Sequence, residues 1–176
     1  MNEINERLYS QALHEAAHIV VALHFGWWIS VNGISLEQNH DLDSSNAHQS
    51  IFSKNHQTLE SRISILLAGE LISYNNAQET GKLSKELIKR IDNHDQAERT
   101  SDLYQALNLA RQELADFQKA KEYIMESALA TLQIINKHSR AITEFADFLY
   151  SKKHVDYADF IEFTFSATHF KKLLDK

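Results

Sequence analysis

The stretch LHEAAHIVVALHFGWW, residues 13–28, sets small and apolar residues around three histidines and contains no proline. Such a run favours a helix, and Gly26 stands where the left-handed residue that ends many helices belongs. We therefore predict one helix over residues 5–25. Because a helix turns by about 100° per residue, His14 and His18 lie about 40° apart on it and face the same point.

The whole chain is poor in residues that break helices, with no proline and four glycines among 176 residues. Both residue types destabilise helix interiors, so their scarcity predicts a mainly α protein. The length suits one domain with a sizeable core, and no repeat or linker divides the sequence. We therefore predict that residues 1–176 form a single helical domain.

Residue usage also limits the classes of partner and metal site. The chain has no cysteine, so any metal must be held by His, Asp or Glu. A formal net charge of −6 argues against nucleic acid as a partner. No basic segment followed by an apolar run opens the sequence, and no apolar run is long enough to span a bilayer. We expect a cytoplasmic protein with no membrane partner.

The other elements follow from hydrophobic spacing and turn residues. WWISVNGISL, residues 27–36, predicts one short strand, or a hairpin that turns at Asn32 and Gly33. The polar stretch 37–56 predicts a long loop of the kind that often carries function. Helical spacing of apolar residues predicts further helices over residues 58–74, 83–91, 101–114, 119–136, 140–151 and 156–164.

The His-Glu-x-x-His pattern at residues 14–18 predicts a metal site. Two neutral imidazoles four residues apart supply half of a tetrahedral zinc shell. Glu15 is badly placed to be a ligand but well placed to take a proton from a water that attacks a carbonyl group. The alternative is a metal-free helix that carries two histidines by chance, which a short motif always permits.

The third ligand would define the class of site. His24 stands where the extended motif of the metzincins has its third histidine, but that geometry needs a glycine where this chain has Val21. On a continuous helix His24 points about 120° away from His18, so we expect His24 not to bind the same ion.

Carboxylates further along the chain are the remaining candidates for the third ligand. Spacing alone leaves the choice open. Asp102 begins a predicted helix, where a carboxylate is also common for electrostatic reasons. The candidates are Glu60, Glu70, Asp92, Asp95 and Asp102.

Two segments of the sequence, and the order in which they occur, resemble the peptidase domain of the FtsH family, the membrane-anchored AAA+ zinc proteases. The first is HEAAH at residues 14–18, and the second is SDLYQALNLAR at residues 101–111. The resemblance extends over about residues 11–163 and implies the family's fold: a helical bundle with a short strand or hairpin after the zinc helix. It also implies a Zn²⁺ cofactor with Asp102 as the third ligand beside His14 and His18, and Glu15 as the catalytic residue.

The sequence departs from the family pattern at several points. Ala17 replaces a glycine, Leu107 replaces a threonine, and the residues before Asp102 differ. The ATPase module and the membrane anchor of the family do not occur in the sequence. We therefore expect cleavage of flexible peptides without ATP, or action together with a separate ATPase or other protein partner; a homo-oligomer is compatible with either.

These observations lead to one expected function and two alternatives. The expectation is a zinc metalloendopeptidase whose substrate is a peptide or flexible protein, with residues 31–36 pairing with the extended substrate. The first alternative is a zinc-binding helical interaction module in which the peptidase chemistry is dormant. The second is a helical bundle that binds no metal.

Overall fold

The computed structural model describes residues 3–29, 33–36, 51–53, 58–72, 80–93 and 101–174. Within these ranges the protein is mainly helical, as predicted, and every helix is either too short or too polar to serve as a membrane span. The helices are α1 (Glu3–His24), α2 (Leu59–Leu71), α3 (Thr80–Asp92), α4 (Asp102–Leu114), α5 (Phe117–Lys137), α6 (Ser139–Lys152), α7 (Tyr157–Ser166) and α8 (Thr168–Leu174).

Four short strands accompany the helices. They are β1 (Trp27–Ile29), β2 (Ile34–Ser35), β3 (Ile51–Ser53) and β4 (His154–Val155). β1 pairs with β3 and β2 pairs with β4, both antiparallel. The prediction of a short strand after the first helix is therefore confirmed.

The helix α1 is an interior helix over its second half. Its residues 15–23 are all buried, so this part of the helix has no solvent face, which is typical of a helix inside a core. The helix ends at His24, one residue before the predicted end, and Gly26 after it adopts a φ of +78°, a value that glycine reaches without a steric penalty. A largely buried helix thus carries the motif of residues 14–18.

The described residues form two compact units. The first unit comprises Met1–Asn55 and His138–Lys176, and in it α1 packs against α6 and α8. Its core contains a group of phenylalanine rings on α6, α7 and α8 whose centroids lie 5.3–5.8 Å from that of Phe145. Such edge-to-face and tilted contacts add about 0.5–1.5 kcal/mol per pair to the burial of the rings. These phenylalanines are Phe145, Phe160, Phe163 and Phe170.

The second unit comprises His56–Lys137. In it α2 packs against α4 and α5, and α4 packs against α5. Side-chain caps define two of the helix starts: the hydroxyl of Thr58 accepts a hydrogen bond from the Ser61 amide, and that of Ser101 accepts one from the Tyr104 amide. Such caps satisfy amides that have no partner within the helix, so α2 and α4 begin at definite residues.

Among the described strands β1 and β2 do not pair with each other, since they belong to different strand pairs; Asn32, where a hairpin turn was predicted, lies outside the described residues. Gly33 has a φ of +75°, and a β-carbon there would collide with the carbonyl oxygen of Val155. Gly33 thus permits the close approach of β4. The strand β3 also corrects the prediction of an uninterrupted loop over residues 37–56, the rest of which lies outside the described residues.

Glu144 on α6 forms hydrogen bonds with residues at the start of α8. Its carboxylate accepts hydrogen bonds from the backbone amides of His169 and Phe170, at 3.0 and 3.1 Å, and lies 2.5 Å from Nδ1 of His169. Burial raises the pKa of Glu144, but these hydrogen bonds and the His169 ring outweigh burial and leave the pKa below its ordinary value of 4.5. The ionised carboxylate therefore stabilises the folded state.

We predict that Glu144→Gln lowers the free energy of unfolding at pH 7 by about 1 kcal/mol, a modest value because the group is partly exposed. Since the folded pKa is depressed, this contribution is present above the unfolded pKa and is lost as the pH falls through the folded pKa. Urea unfolding at pH 7 and at pH 3 measures the difference. A difference that does not shrink at pH 3 would contradict the electrostatic account; Glu6→Gln, at an exposed position on α1, is the control.

Candidate metal centre

The two histidines of the first motif are in contact on α1. Their Nε2 atoms lie 3.0 Å apart, and their rings meet edge to face with centroids 4.7 Å apart. His18 is buried, with 6% of its surface exposed, whereas His14 is partly exposed. Two nitrogens at this separation, each about 2.0–2.1 Å from one zinc ion, subtend about 95° at the metal. The pair therefore has the spacing that two ligands of a common ion require.

Glu15 follows His14 on the same helix and is buried, with 7% of its surface exposed. Its neighbours along the helix, Ala16 and Ala17, are fully buried. A carboxylate is seldom placed in such surroundings unless it has a partner or a chemical role. Successive helical residues differ by about 100°, so Glu15 projects beside the histidine pair rather than in line with it.

Asp102 is the first residue of α4 in the second unit. Ser101, and not Asp102, is the N-cap, since the Ser101 hydroxyl accepts the hydrogen bond from the Tyr104 amide. The capping role that explains many carboxylates at helix starts is thus filled by another residue. The buried face of α4 anchors this end of the helix in the core of its unit; its residues are Leu103, Ala106, Leu107, Leu109 and Ala110.

His14, His18 and Asp102 meet the distance condition for holding one metal ion. One ligand atom of each residue lies within 4.8 Å of the others, and within the described ranges this is the one group of three His, Asp or Glu residues that does so. Ligand atoms around a tetrahedral zinc are about 3.4 Å apart, which lies within that limit. Two imidazoles and one carboxylate are donors that zinc accepts, and three protein ligands leave a fourth position open.

The other carboxylates considered as third ligand have different surroundings. Glu70 forms a two-point ion pair with Arg90, at 2.7 and 3.2 Å. Asp92 is exposed and accepts a hydrogen bond from the Lys121 ammonium group. Glu60 is exposed in the first turn of α2, and Asp95 lies outside the described residues. These contacts account for Glu70 and Asp92 as members of ion pairs of the second unit.

His24 contacts a different histidine from the one that the metzincin pattern requires. Its Nδ1 atom lies 3.1 Å from Nε2 of His138, and its ring meets that of Phe25 edge to face. His24 does not belong to the group that contains His14 and His18. The expectation that His24 faces away is confirmed, because α1 continues as a helix past Val21 up to His24.

We predict that His24→Ala leaves the zinc content unchanged in protein dialysed against metal-free buffer. The physical reason is that the His24 side chain points toward His138 and lies outside the three-residue group. Inductively coupled plasma mass spectrometry of the dialysed variant measures the content. Loss of the zinc that survives dialysis would instead support the metzincin arrangement.

The segment predicted to pair with an extended substrate, residues 31–36, is described from Gly33 onward. Its strand residues, Ile34 and Ser35, pair with Val155 and His154 of β4. The amide of Leu36 donates a further hydrogen bond to the carbonyl of Lys153, at 2.8 Å. The described part of this segment is therefore engaged within the first unit.

Comparison with known proteins yields no relative. No family model matches the chain, and no curated protein and no solved structure matches it. The function must therefore be inferred from the side chains themselves, together with the resemblance noted for residues 14–18 and 101–111.

Proposed function

We propose that this protein is a zinc-dependent peptidase, with His14, His18 and Asp102 as the metal ligands and Glu15 as the catalytic residue. The observation that carries the proposal is the grouping of the two imidazoles and the Asp102 carboxylate within 4.8 Å. The resemblance to the FtsH peptidase domain supports the choice of peptide hydrolysis, because the same positions in that family hold zinc. The substrate is a peptide or a flexible protein segment.

In this proposal three residues bind the metal and a fourth, Glu15, transfers the proton. The two histidines present neutral ring nitrogens, and Asp102 contributes one negative charge that offsets part of the charge of the ion. When bound there, Zn²⁺ supplies Lewis acidity, which activates water and polarises a carbonyl group. The carboxylate of Glu15 accepts the proton of the attacking water and returns it to the amine nitrogen as the peptide bond breaks.

The burial of Glu15 and His18 supports this division of roles. Electrostatic interactions are stronger where water is excluded, so a buried carboxylate is an effective proton acceptor for a group held beside it. The helix α1 is interior over residues 15–23, and it carries Glu15 together with both histidines, so the helix fixes Glu15 relative to His14 and His18. Side chains held by packing lose little ordering entropy when the reaction begins.

The test of the proposal is hydrolysis of a peptide library and of casein by the zinc-loaded protein. We expect cleavage that a chelator abolishes and that one equivalent of Zn²⁺ restores. The second candidate, a zinc-binding interaction module, predicts zinc binding without cleavage of any peptide. Stoichiometric zinc with no detectable hydrolysis in either assay would therefore overturn the peptidase and favour that module.

Asp102 gives a separate prediction about metal affinity. We expect Asp102→Ala to weaken zinc binding by at least tenfold, as loss of one of three ligands should, and to remove most of the metal-dependent rise in melting temperature. If Asp102 only stabilises α4 through its interaction with the helix dipole, Asp102→Asn should cost at most about 1 kcal/mol of stability and leave zinc affinity unchanged. Zinc titration of both variants separates the two roles, with Asp92→Ala as the control for an ion-paired aspartate of the same unit.

A further inference from the structure

A second pair of histidines is in contact within the first unit. His24 lies in the last turn of α1, and His138 immediately precedes α6. Nδ1 of His24 and Nε2 of His138 are 3.1 Å apart, with ring centroids 5.2 Å apart and ring planes inclined by 55°. The separation is close to the 3.0 Å found between His14 and His18.

The two rings come from elements that the fold holds together. The helix α1 packs against α6, so the positions of His24 and His138 are set by the core of the unit. His138 is the N-cap residue of α6, yet its side chain makes no capping hydrogen bond. The imidazole of His138 therefore does not cap the helix that it precedes.

We propose that His24 and His138 form a second metal site, which binds a divalent transition-metal ion such as Zn²⁺ or Cu²⁺. Two nitrogens 3.1 Å apart and about 2.0–2.1 Å from one ion subtend about 98° at it. This angle lies between the square-planar and tetrahedral values of about 90° and 109°, so either geometry is accessible. Both rings are partly exposed, which leaves water molecules to complete the shell.

The competing role for the pair is a simple hydrogen bond between neutral imidazoles, with one ring donating and the other accepting. That role predicts no response to metal. A bound ion instead joins the end of α1 to the start of α6 and stabilises the folded unit in proportion to its concentration. Two protein ligands bind less tightly than three, so this site empties on dialysis while the proposed zinc centre keeps its ion. The inference does not depend on the proposed peptidase activity.

The experiment uses the variant His14→Ala/His18→Ala, in which the first histidine pair is removed. We expect calorimetric titration of this variant with ZnCl₂, NiCl₂ and CuCl₂ to show one equivalent of metal, with Cu²⁺ bound most tightly, and the melting temperature to rise with metal concentration. A further His24→Ala or His138→Ala change should weaken binding at least tenfold. His154→Ala is the matched control, since this exposed histidine of the same unit contacts the hydroxyl of Ser35 rather than another histidine.

If the His14→Ala/His18→Ala variant does not fold, the titration uses zinc-loaded wild-type protein instead. A second, weaker equivalent of metal should bind to that protein, and His138→Ala should abolish this second equivalent. Proton competition gives an independent reading, because affinity should fall as the pH drops below about 6.5, where imidazole protonates. Absence of this weaker equivalent, or its persistence in both His24→Ala and His138→Ala, would overturn the site and leave the hydrogen bond as the role of the pair. Neither result depends on whether the protein cleaves peptides.

Discussion

The Glu15→Gln variant is expected to keep its fold and its zinc while losing peptide hydrolysis by about 10²–10⁴-fold. Glutamine has the size and shape of glutamate, so the buried position stays filled, but its amide cannot accept the proton of the attacking water. The loss should appear in kcat, with little change in KM, because the interaction exists only in the transition state.

The measurement is kcat/KM on a peptide that the wild-type protein cleaves, together with the zinc content of the same preparation. Glu6→Gln is the matched control, since it makes the same change at an exposed position of α1. Retention of wild-type activity by Glu15→Gln would show that Glu15 is not the proton acceptor. Loss of zinc in this variant would mean that Glu15 is a metal ligand rather than the group that accepts a proton from water.

The second large effect is expected for the double variant His14→Ala/His18→Ala. Wild-type protein should hold about one zinc per chain after dialysis, and this variant should hold none, because two of three ligands are gone. At a zinc concentration about 1,000 times the dissociation constant, binding adds about 4 kcal/mol to stability. For a chain of this length that corresponds to roughly 8–16 °C in melting temperature.

Metal analysis and thermal unfolding with and without a chelator measure both parts of this effect. The chelator should lower the melting temperature of the wild-type protein by that amount and leave the double variant, dialysed and without added metal, unaffected. His154→Ala, at an exposed histidine, should behave as the wild type in both measurements. Full retention of zinc by the double variant after dialysis would show that His14 and His18 are not the metal ligands.

The helices could be predicted where a long apolar face recurs at helical spacing. The prediction for 119–136 and the observed Phe117–Lys137 differ by two residues at the start and one at the end. The helix α8 was missed because its seven residues include two buried apolar side chains, Phe170 and Leu173, which is too little for a periodic signal. Segments this short are stabilised by tertiary contacts, such as those of Glu144 with the start of α8.

The strands were predicted less well for a similar physical reason. β3 consists of three residues, Ile51–Ser53, inside a polar stretch, and its partner β1 lies more than 20 residues earlier in the chain. β4 has two residues and pairs with β2 across more than a hundred residues of sequence. Pairing at such separations is determined by the packed core, and the alternation of side chains in so few residues carries little information.

The candidate site was predictable in part because two of its three proposed ligands lie on one helix. The spacing of His14 and His18 is a property of the sequence alone, and on a helix it puts the two side chains on one face, where their Nε2 atoms lie 3.0 Å apart. Asp102 could be singled out only through the resemblance to a known family, since spacing left five carboxylates open. The contact of His24 with His138, 114 residues apart, has no local signal and became visible only in the folded chain.

Anomalous diffraction at the zinc absorption edge, from crystals of the zinc-loaded protein, tests the central claim most directly. The account predicts a strong peak with Nε2 of His14, Nε2 of His18 and a carboxylate oxygen of Asp102 at about 2.0–2.2 Å from it. A strong peak at the His14–His18 pair with Asp102 beyond that distance, or no peak at this pair in zinc-containing crystals, would contradict the account.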